Sequence, residues 1–158
     1  MLEVKGVVCI AIETISREET SKMLLANFLV AANYAVFVGS KSAISDILSH
    51  TENFSLYEKS SARSKEGYFE SIKNRGHSIF INDEEGLIYF NKDIYLHRRL
   101  SKTAYEFVDR FYCWGNDQKK ILNEWDCNDS KKTLLTGNPR IDLLREDFSY
   151  SNKKISSI

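Results

Sequence analysis

Three consecutive acids, Asp83-Glu84-Glu85, followed by Gly86, stand directly after the apolar run Ile79-Phe80-Ile81 and Asn82. A short apolar run bounded by a polar cluster reads as a buried strand, so the acids are delivered to the rim of a sheet. Carboxylates crowded at a strand end repel one another and raise one another's pKa, which is what a general base, a nucleophile or a cation ligand requires. A solvated acidic turn has the same composition, so the run gains meaning only from what stands beside it. The second string able to do chemistry is Thr136-Gly137-Asn138-Pro139-Arg140-Ile141-Asp142, which holds the only proline of the chain. Pro139 falls just inside a helix start, where its missing N–H costs nothing. Gly137 allows a tight turn, and the helix start offers free N–H groups to an anion, with Arg140 as a fork donor and Asp142 placed to hold it. Strand-to-helix punctuation with a surface Arg140/Asp142 pair fits that string equally.

The elements that must position these strings alternate along the chain. Residues 4–12 form a first strand and 13–18 the loop at its carboxyl end, with Ser16 and Glu19 spaced as a capping box for the next helix. That helix presents Leu24, Leu25, Phe28 and Leu29 as one apolar face. A strand over 35–38 closes on Gly39-Ser40-Lys41 and a helix over 42–48 follows. A weaker strand covers 53–57, and a helix over 64–75 turns Tyr68, Phe69 and Ile72 inward and ends at Gly76. After the strand that carries the acids, 87–90 is an apolar loop, and Asp93 caps a helix over 94–108. A fifth strand at 110–114, a helix at 118–125, a sixth strand at 132–136 and a last helix at 141–146 complete the pattern. Short, two-sidedly apolar strands joined by helix-length connections predict a doubly wound, Rossmann-like α/β domain with a parallel sheet covered on both faces. Residues 1–148 form that domain and 149–158 a frayed, serine- and lysine-rich tail. Ligands of such sheets bind outside the carboxyl ends of the strands, where the unusual loops of this chain all fall.

Composition narrows the function classes. The chain has 158 residues, 42% apolar and 28% charged, with 22 basic and 22 acidic residues, so it has no bulk charge drawing it to nucleic acid or an anionic membrane. Cys9, Cys113 and Cys127 show no zinc-type spacing, and no metal or cofactor is implied. No GxGxxG, Walker or GxSxG string is present. The apolar run 7–12 is too short for a signal peptide, and no stretch approaches the roughly 18 apolar residues of a membrane span. A cytoplasmic protein is expected, associated with the inner face of the cell membrane at most peripherally. His50, His77 and His97 receive no role, and Trp114 and Trp125 are expected to pack.

Five strings occur in a characteristic order: Arg17-Glu18 before an Ala/Leu helix, Val36-Phe37-Val38-Gly39-Ser40-Lys41, Asp83-Glu84-Glu85-Gly86, Phe111-Tyr112-Cys113-Trp114-Gly115-Asn116-Asp117-Gln118, and Thr136 through Asp142. In this order they resemble the N-terminal half of bacterial surface carbohydrate biosynthesis proteins, glycosyltransferase-like proteins of capsule and lipopolysaccharide assembly. The Gly-Asn-Pro-Arg-x-Asp string is also similar to one in CDP-glycerol glycerophosphotransferase-like proteins. The resemblance implies one half of a GT-B architecture, in which an acceptor-side domain faces a donor-side domain that has no counterpart here.

It further implies transfer of a sugar from a nucleotide-activated donor to a glycan acceptor. Asp83, Glu84 and Glu85 are then the candidate catalytic acids, acting as base or nucleophile. Arg17 and Glu18 face the glycan, Lys41, Asn138 and Arg140 meet phosphate or carboxylate groups, and Gly39 and Gly137 complete the substrate-binding set. An isolated half should leave this rim open to water. A non-catalytic Rossmann-like binding module and an inactive truncated remnant are the alternative readings.

Overall fold

The computed structural model of the chain describes residues 4–84, 91–126 and 131–145. Six strands form one sheet: β1 (Val7–Ile12), β2 (Ala35–Ser40), β3 (Ser55–Glu58), β4 (Ser78–Asn82), β5 (Arg110–Cys113) and β6 (Thr133–Leu135). They lie in the order β2-β1-β3-β4-β5-β6, and all five pairings are parallel. The helices are α1 (Ile15–Ala31), α2 (Lys41–Ser49), α3 (Glu66–Asn74), α4 (Lys92–Arg99), α5 (Lys102–Glu106), α6 (Asn116–Trp125) and α7 (Pro139–Asp142). A short 3-10 turn, Arg63–Lys65, leads into α3. The fold is the Rossmann-like doubly wound α/β sheet that the alternating pattern predicts.

Alternation along each strand divides the side chains between two unlike faces. Cys9, Ala11, Leu56, Ile79, Ile81, Phe111 and Cys113 point to one face, where they pack with Ile44 and Leu48 of α2, Phe69 and Ile72 of α3, and residues of α4, α5 and α6. Val8, Ile10 and Tyr57 point to the other, with Phe80 and Tyr112 beside them, and meet Leu25, Ala26 and Leu29 of α1. The first face is the larger core. The second is covered by α1 and by α7, a single turn with no buried residue.

Several local expectations are corrected. Thr14 is the N-cap residue of α1 and makes no side-chain cap, so Ser16 lies within the first turn; the Glu18 carboxylate accepts from the Glu13 N–H instead. Phe28 is 57% exposed, while Leu25 and Leu29 do pack inward beside Ala26, and nearer the start of α1 the buried side chains are Glu18, Ser21 and Lys22. The expected helix over 94–108 breaks at Leu100. There the Ser101 N–H bonds the Ser61 carbonyl, and the Ser101 hydroxyl caps α5 by accepting from the Ala104 N–H. Asn91, not Asp93, caps α4. The last helix occupies Pro139–Asp142 rather than 141–146, because the Asn138 side chain accepts from the Arg140 N–H and starts it early. Gly76 does end α3, with φ +78°. His77 is structural: its Nδ1 accepts the Phe54 N–H, so Nε2 carries the proton and donates to the Leu48 carbonyl. The 87–90 loop, Cys127 and the 149–158 tail lie outside the described residues.

Burial decides which aromatic side chains matter to stability. Phe69→Ala is expected to cost about 3–5 kcal/mol, whereas Phe28→Ala should change stability by no more than about 0.5 kcal/mol. Urea unfolding of the two variants checks this, and equal losses would contradict the two-faced core described here.

Candidate functional site

In the strand order β2-β1-β3, the chain steps from β1 to β2 on one side and then crosses back from β2 to β3 on the other, so the carboxyl ends of β1 and β3 form the topological switch point of the sheet. At that point β1 exits into Glu13, α1 brings Glu18 and Lys22 in its first two turns, and β3 exits into Glu58 and Lys59. These side chains form a continuous ionic lattice.

Glu18 is fully buried and anchors it. Its carboxylate accepts from Lys22 Nζ at 2.7 Å, Lys59 Nζ at 2.9 Å, the Glu13 N–H at 3.0 Å and Arg17 Nη2 at 3.3 Å. Lys22, 3% exposed, also donates to the Ala11 carbonyl at 2.6 Å and lies 3.5 Å from Glu84 Oε1. Lys59 bridges to Glu13 Oε2 at 2.9 Å, and Lys65 pairs with Glu58 at 2.7 Å while approaching Glu13 at 3.7 Å. Lys41 reaches Glu13 from the solvent side at 3.8 Å.

The acids of this lattice fall into two protonation classes. Burial works to raise the Glu18 pKa, but hydrogen bonds from Lys22, Lys59 and the Glu13 N–H outweigh it and hold the carboxyl well below the usual range. Glu13 is lowered by its Lys59 hydrogen bond, against desolvation. Glu84 goes the other way: desolvation raises it, the nearby Glu18 charge adds to the rise, and Lys22 only partly opposes it. The geometry agrees, since Glu84 Oε2 is buried without a hydrogen-bond partner while Oε1 has only the longer Lys22 contact. The rise comes from burial, since Lys22 and Lys59 lower the pKa against what Glu18 adds.

Asp83 is separated from Glu84 in environment. It is 1% exposed, pairs with Arg99 Nη2 at 3.0 Å, and bonds the Tyr95 hydroxyl, which in turn accepts from Gln118. Gln118 also accepts the Trp114 N–H. Asp83 therefore fixes α4 and α6 at the strand ends.

On its other side Asn82 donates to the carbonyls of Tyr112 and Gly137 at 3.1 Å each, fastening the β6 exit loop to the centre of the sheet. Gly137 has φ +84°, which supports the tight turn expected there. Asn138 is 3% exposed and uses its side-chain oxygen as the cap of α7. Arg140 makes no ion pair with Asp142 among the described residues; each is held in α7 by backbone bonds to Asn138 or its side chain.

Of the residues singled out in the sequence, the lattice gathers Arg17, Glu18, Lys41 and Glu84. Gly39 lies within β2 rather than in the loop after it. Asp83 belongs to the Arg99/Tyr95 group, and Gly137 and Asn138 to the β6 exit. Glu85 and Gly86 lie outside the described residues. Against the expected open rim, Glu18, Asn82, Asp83, Glu84 and Asn138 are buried, the acids beside Lys22, Lys59 and Arg99 and the two asparagines at the β6 exit, while Glu13, Arg17 and Lys41 keep contact with solvent. Sequence reasoning gave no role to Lys22, Lys59, Lys65 or Glu58. Lys22 had a signal, a lysine four residues after Glu18 on the same helix face. Lys59 had none, since its partners Glu13 and Glu18 come from a different strand end, and Lys65 pairs with Glu58 of its own strand end only because the 3-10 turn Arg63–Lys65 folds it back. Burial pushes the Cys9 and Cys113 thiols up to about 11 and about 12, which leaves them protonated and unreactive. Among the described residues no group of histidine, cysteine or acidic side chains is placed to hold a metal ion, and no helix is long and apolar enough to cross a membrane.

The two classes of acid make opposite contributions to pH-dependent stability. Glu18, lowered on folding, adds stability that is complete above its unfolded value of about 4.3 and is lost as pH falls toward its folded value. Glu84, raised on folding, binds more protons folded than unfolded, so its ionisation removes stability as pH rises above about 4.3 through its raised value. Glu18→Gln should cost about 3–5 kcal/mol at pH 7 by stranding Lys22 and Lys59. Glu84→Gln should be neutral or stabilising at pH 7 and flatten the pH dependence above about 4.3. Urea unfolding from pH 4 to 8 distinguishes them, and equal damage from both would contradict this division.

No protein-family model, curated protein or solved structure matches the chain.

Proposed function

We propose that this chain is the acceptor-side Rossmann-like half of a glycosyltransferase-like protein of bacterial surface polysaccharide assembly, working in the cytoplasm. A donor domain, in cis or in trans, supplies the nucleotide-activated sugar. The reading rests on the five ordered strings and on one observation above all. Glu84, at the carboxyl end of a central parallel strand, is the acid of the strand-end lattice whose pKa is raised, and it sits beside the fixed ammonium of Lys22. Ligands of doubly wound sheets bind at this end, and a raised carboxylate is the stronger base.

In the proposed step the acceptor hydroxyl gives its proton to Glu84 as its oxygen bonds to the anomeric carbon. The bond from that carbon to the donor phosphate oxygen breaks, and the nucleoside phosphate leaves with the electron pair. Lys41 and Arg140 meet anionic groups of donor or acceptor, and Arg17 meets the glycan. At 6% exposure Glu84 is out of reach of a bulky acceptor until the rim side chains part, so the opposing domain is part of the catalytic assembly.

A second reading, a non-catalytic Rossmann-like binding module, is favoured by the self-satisfied character of the lattice, where Glu13, Glu18, Glu58 and Asp83 are already ion-paired.

The two readings separate in one experiment. The chain alone, and the chain joined to a donor domain encoded downstream or in an adjacent gene, are assayed with a panel of nucleotide-activated sugars and surface-glycan acceptors. Transfer is expected only from the joined protein, and Glu84→Gln should lower its kcat/KM by about 10²–10⁴ with folding intact. A joined, folded protein that transfers no sugar supports the binding module, and transfer indifferent to Glu84→Gln removes Glu84 from the mechanism.

A further inference from the structure

The sheet face opposite the main core is unevenly covered. Helix α1 lies over β1 and β2, α7 contributes one turn, and between them a cavity of about 420 Å³ opens onto β3, β4 and β5. Its walls carry the rings of Tyr34, Tyr57, Phe80 and Tyr112, with Leu25 of α1 facing them. Phe80 and Tyr112 are stacked, their planes 11° apart and their centroids 6.1 Å apart, so the floor is a slab of parallel aromatic surface. The volume lies within the roughly 300–1,000 Å³ of small-molecule pockets.

Among the described lining residues Asp142 is the charged one, and cations stand just outside the lining, Lys5 Nζ 6.0 Å from the Tyr34 ring centroid and Arg110 beside Tyr112. A phosphate or carboxylate group would enter beside Asp142 with no lysine or arginine among those residues to receive it. An aromatic floor favours a flat ring stacked or edge-on against it, and a ring bearing positive charge gains further from the ring faces and from Asp142.

We infer that this cavity is a binding site for a small molecule carrying a flat aromatic or heteroaromatic ring, uncharged or cationic. The cavity adjoins the strand ends, with Thr136, Gly137, Pro139 and Asp142 from the β6 exit in its lining and Tyr57 within reach of the Glu84 charge, but the inference does not depend on the reading of Glu84. It differs in chemistry from a phosphate site in that Asp142 is the one charged residue among its described lining.

The test uses three probes that share one ring and differ in charge: tryptamine, indole and indole-3-acetate. Each is titrated at low salt into the ¹⁵N-labelled 158-residue chain, and amide shifts are followed. Indole should give saturable shifts around Tyr57, Phe80 and Tyr112 with a Kd of about 0.1–1 mM, the strength a ligand of this size reaches. Tryptamine should bind at least about fivefold more tightly than indole-3-acetate, and Asp142→Asn should erase that preference while leaving indole binding in place. Leu25→Trp, which fills the cavity from α1, should abolish binding of all three. Leu29→Trp serves the same purpose if the first variant does not fold. Absence of saturable binding by indole and tryptamine overturns the inference. So does equal affinity for tryptamine and indole-3-acetate, or unchanged binding in a folded, filled variant.

Discussion

The rim of this sheet depends on the pairing of Glu18 with Lys22 and Lys59. A carboxylate with no solvent exposure is tolerated only if donors replace its lost hydration, and here four groups from α1, the β1 exit and the β3 exit do so. The same contacts have a mechanical effect. Lys22 ties the second turn of α1 to the carbonyl of Ala11, and Lys59 ties the end of β3 to the start of α1. The helix is thus docked over the switch point by charge, since its inward face there carries Glu18, Ser21 and Lys22 rather than apolar residues. Glu84 is buried against an arrangement already balanced without it, which is why its protonation differs from that of its neighbours.

The two faces of the sheet perform different work. The face under α2 to α6 is filled by Leu, Ile, Phe and buried tyrosine, a close-packed layer that gives the domain its rigidity. The opposite face carries tyrosine and phenylalanine at β3, β4 and β5, where α7 is too short to cover them. Large rings under partial cover leave a cavity rather than a filled core. The sheet thus carries an ionic rim at its strand ends and an aromatic hollow on one face.

Asp83 and Glu84 show how adjacent residues acquire different chemistry. Successive positions at a strand end point in different directions. Asp83 meets Arg99 and the Tyr95 hydroxyl and becomes a structural ion, while Glu84 meets a lysine whose hydrogen bonds are already engaged. A run of like acids is therefore not a uniform site.

The alternation of apolar runs with helix-length segments, written in the order of residues, was enough to determine the parallel doubly wound sheet, because periodicity and connection length are local properties. Position at strand ends likewise placed Glu18, Asp83, Glu84 and Asn138 at one end of the sheet before any contact was seen. What the sequence did not contain was the partner of each charge. Lys59 and Lys65 stand in an unremarkable polar exit, and only the packing of β3 beside β1 sets them against Glu18 and Glu13. The break at Leu100 was hidden for the same reason, since the bond that turns the chain there comes from Ser61. The pKa of a buried group depends on what surrounds it in three dimensions, so tertiary structure alone decided that Glu18 is held ionised and that Glu84 is pushed toward its protonated form.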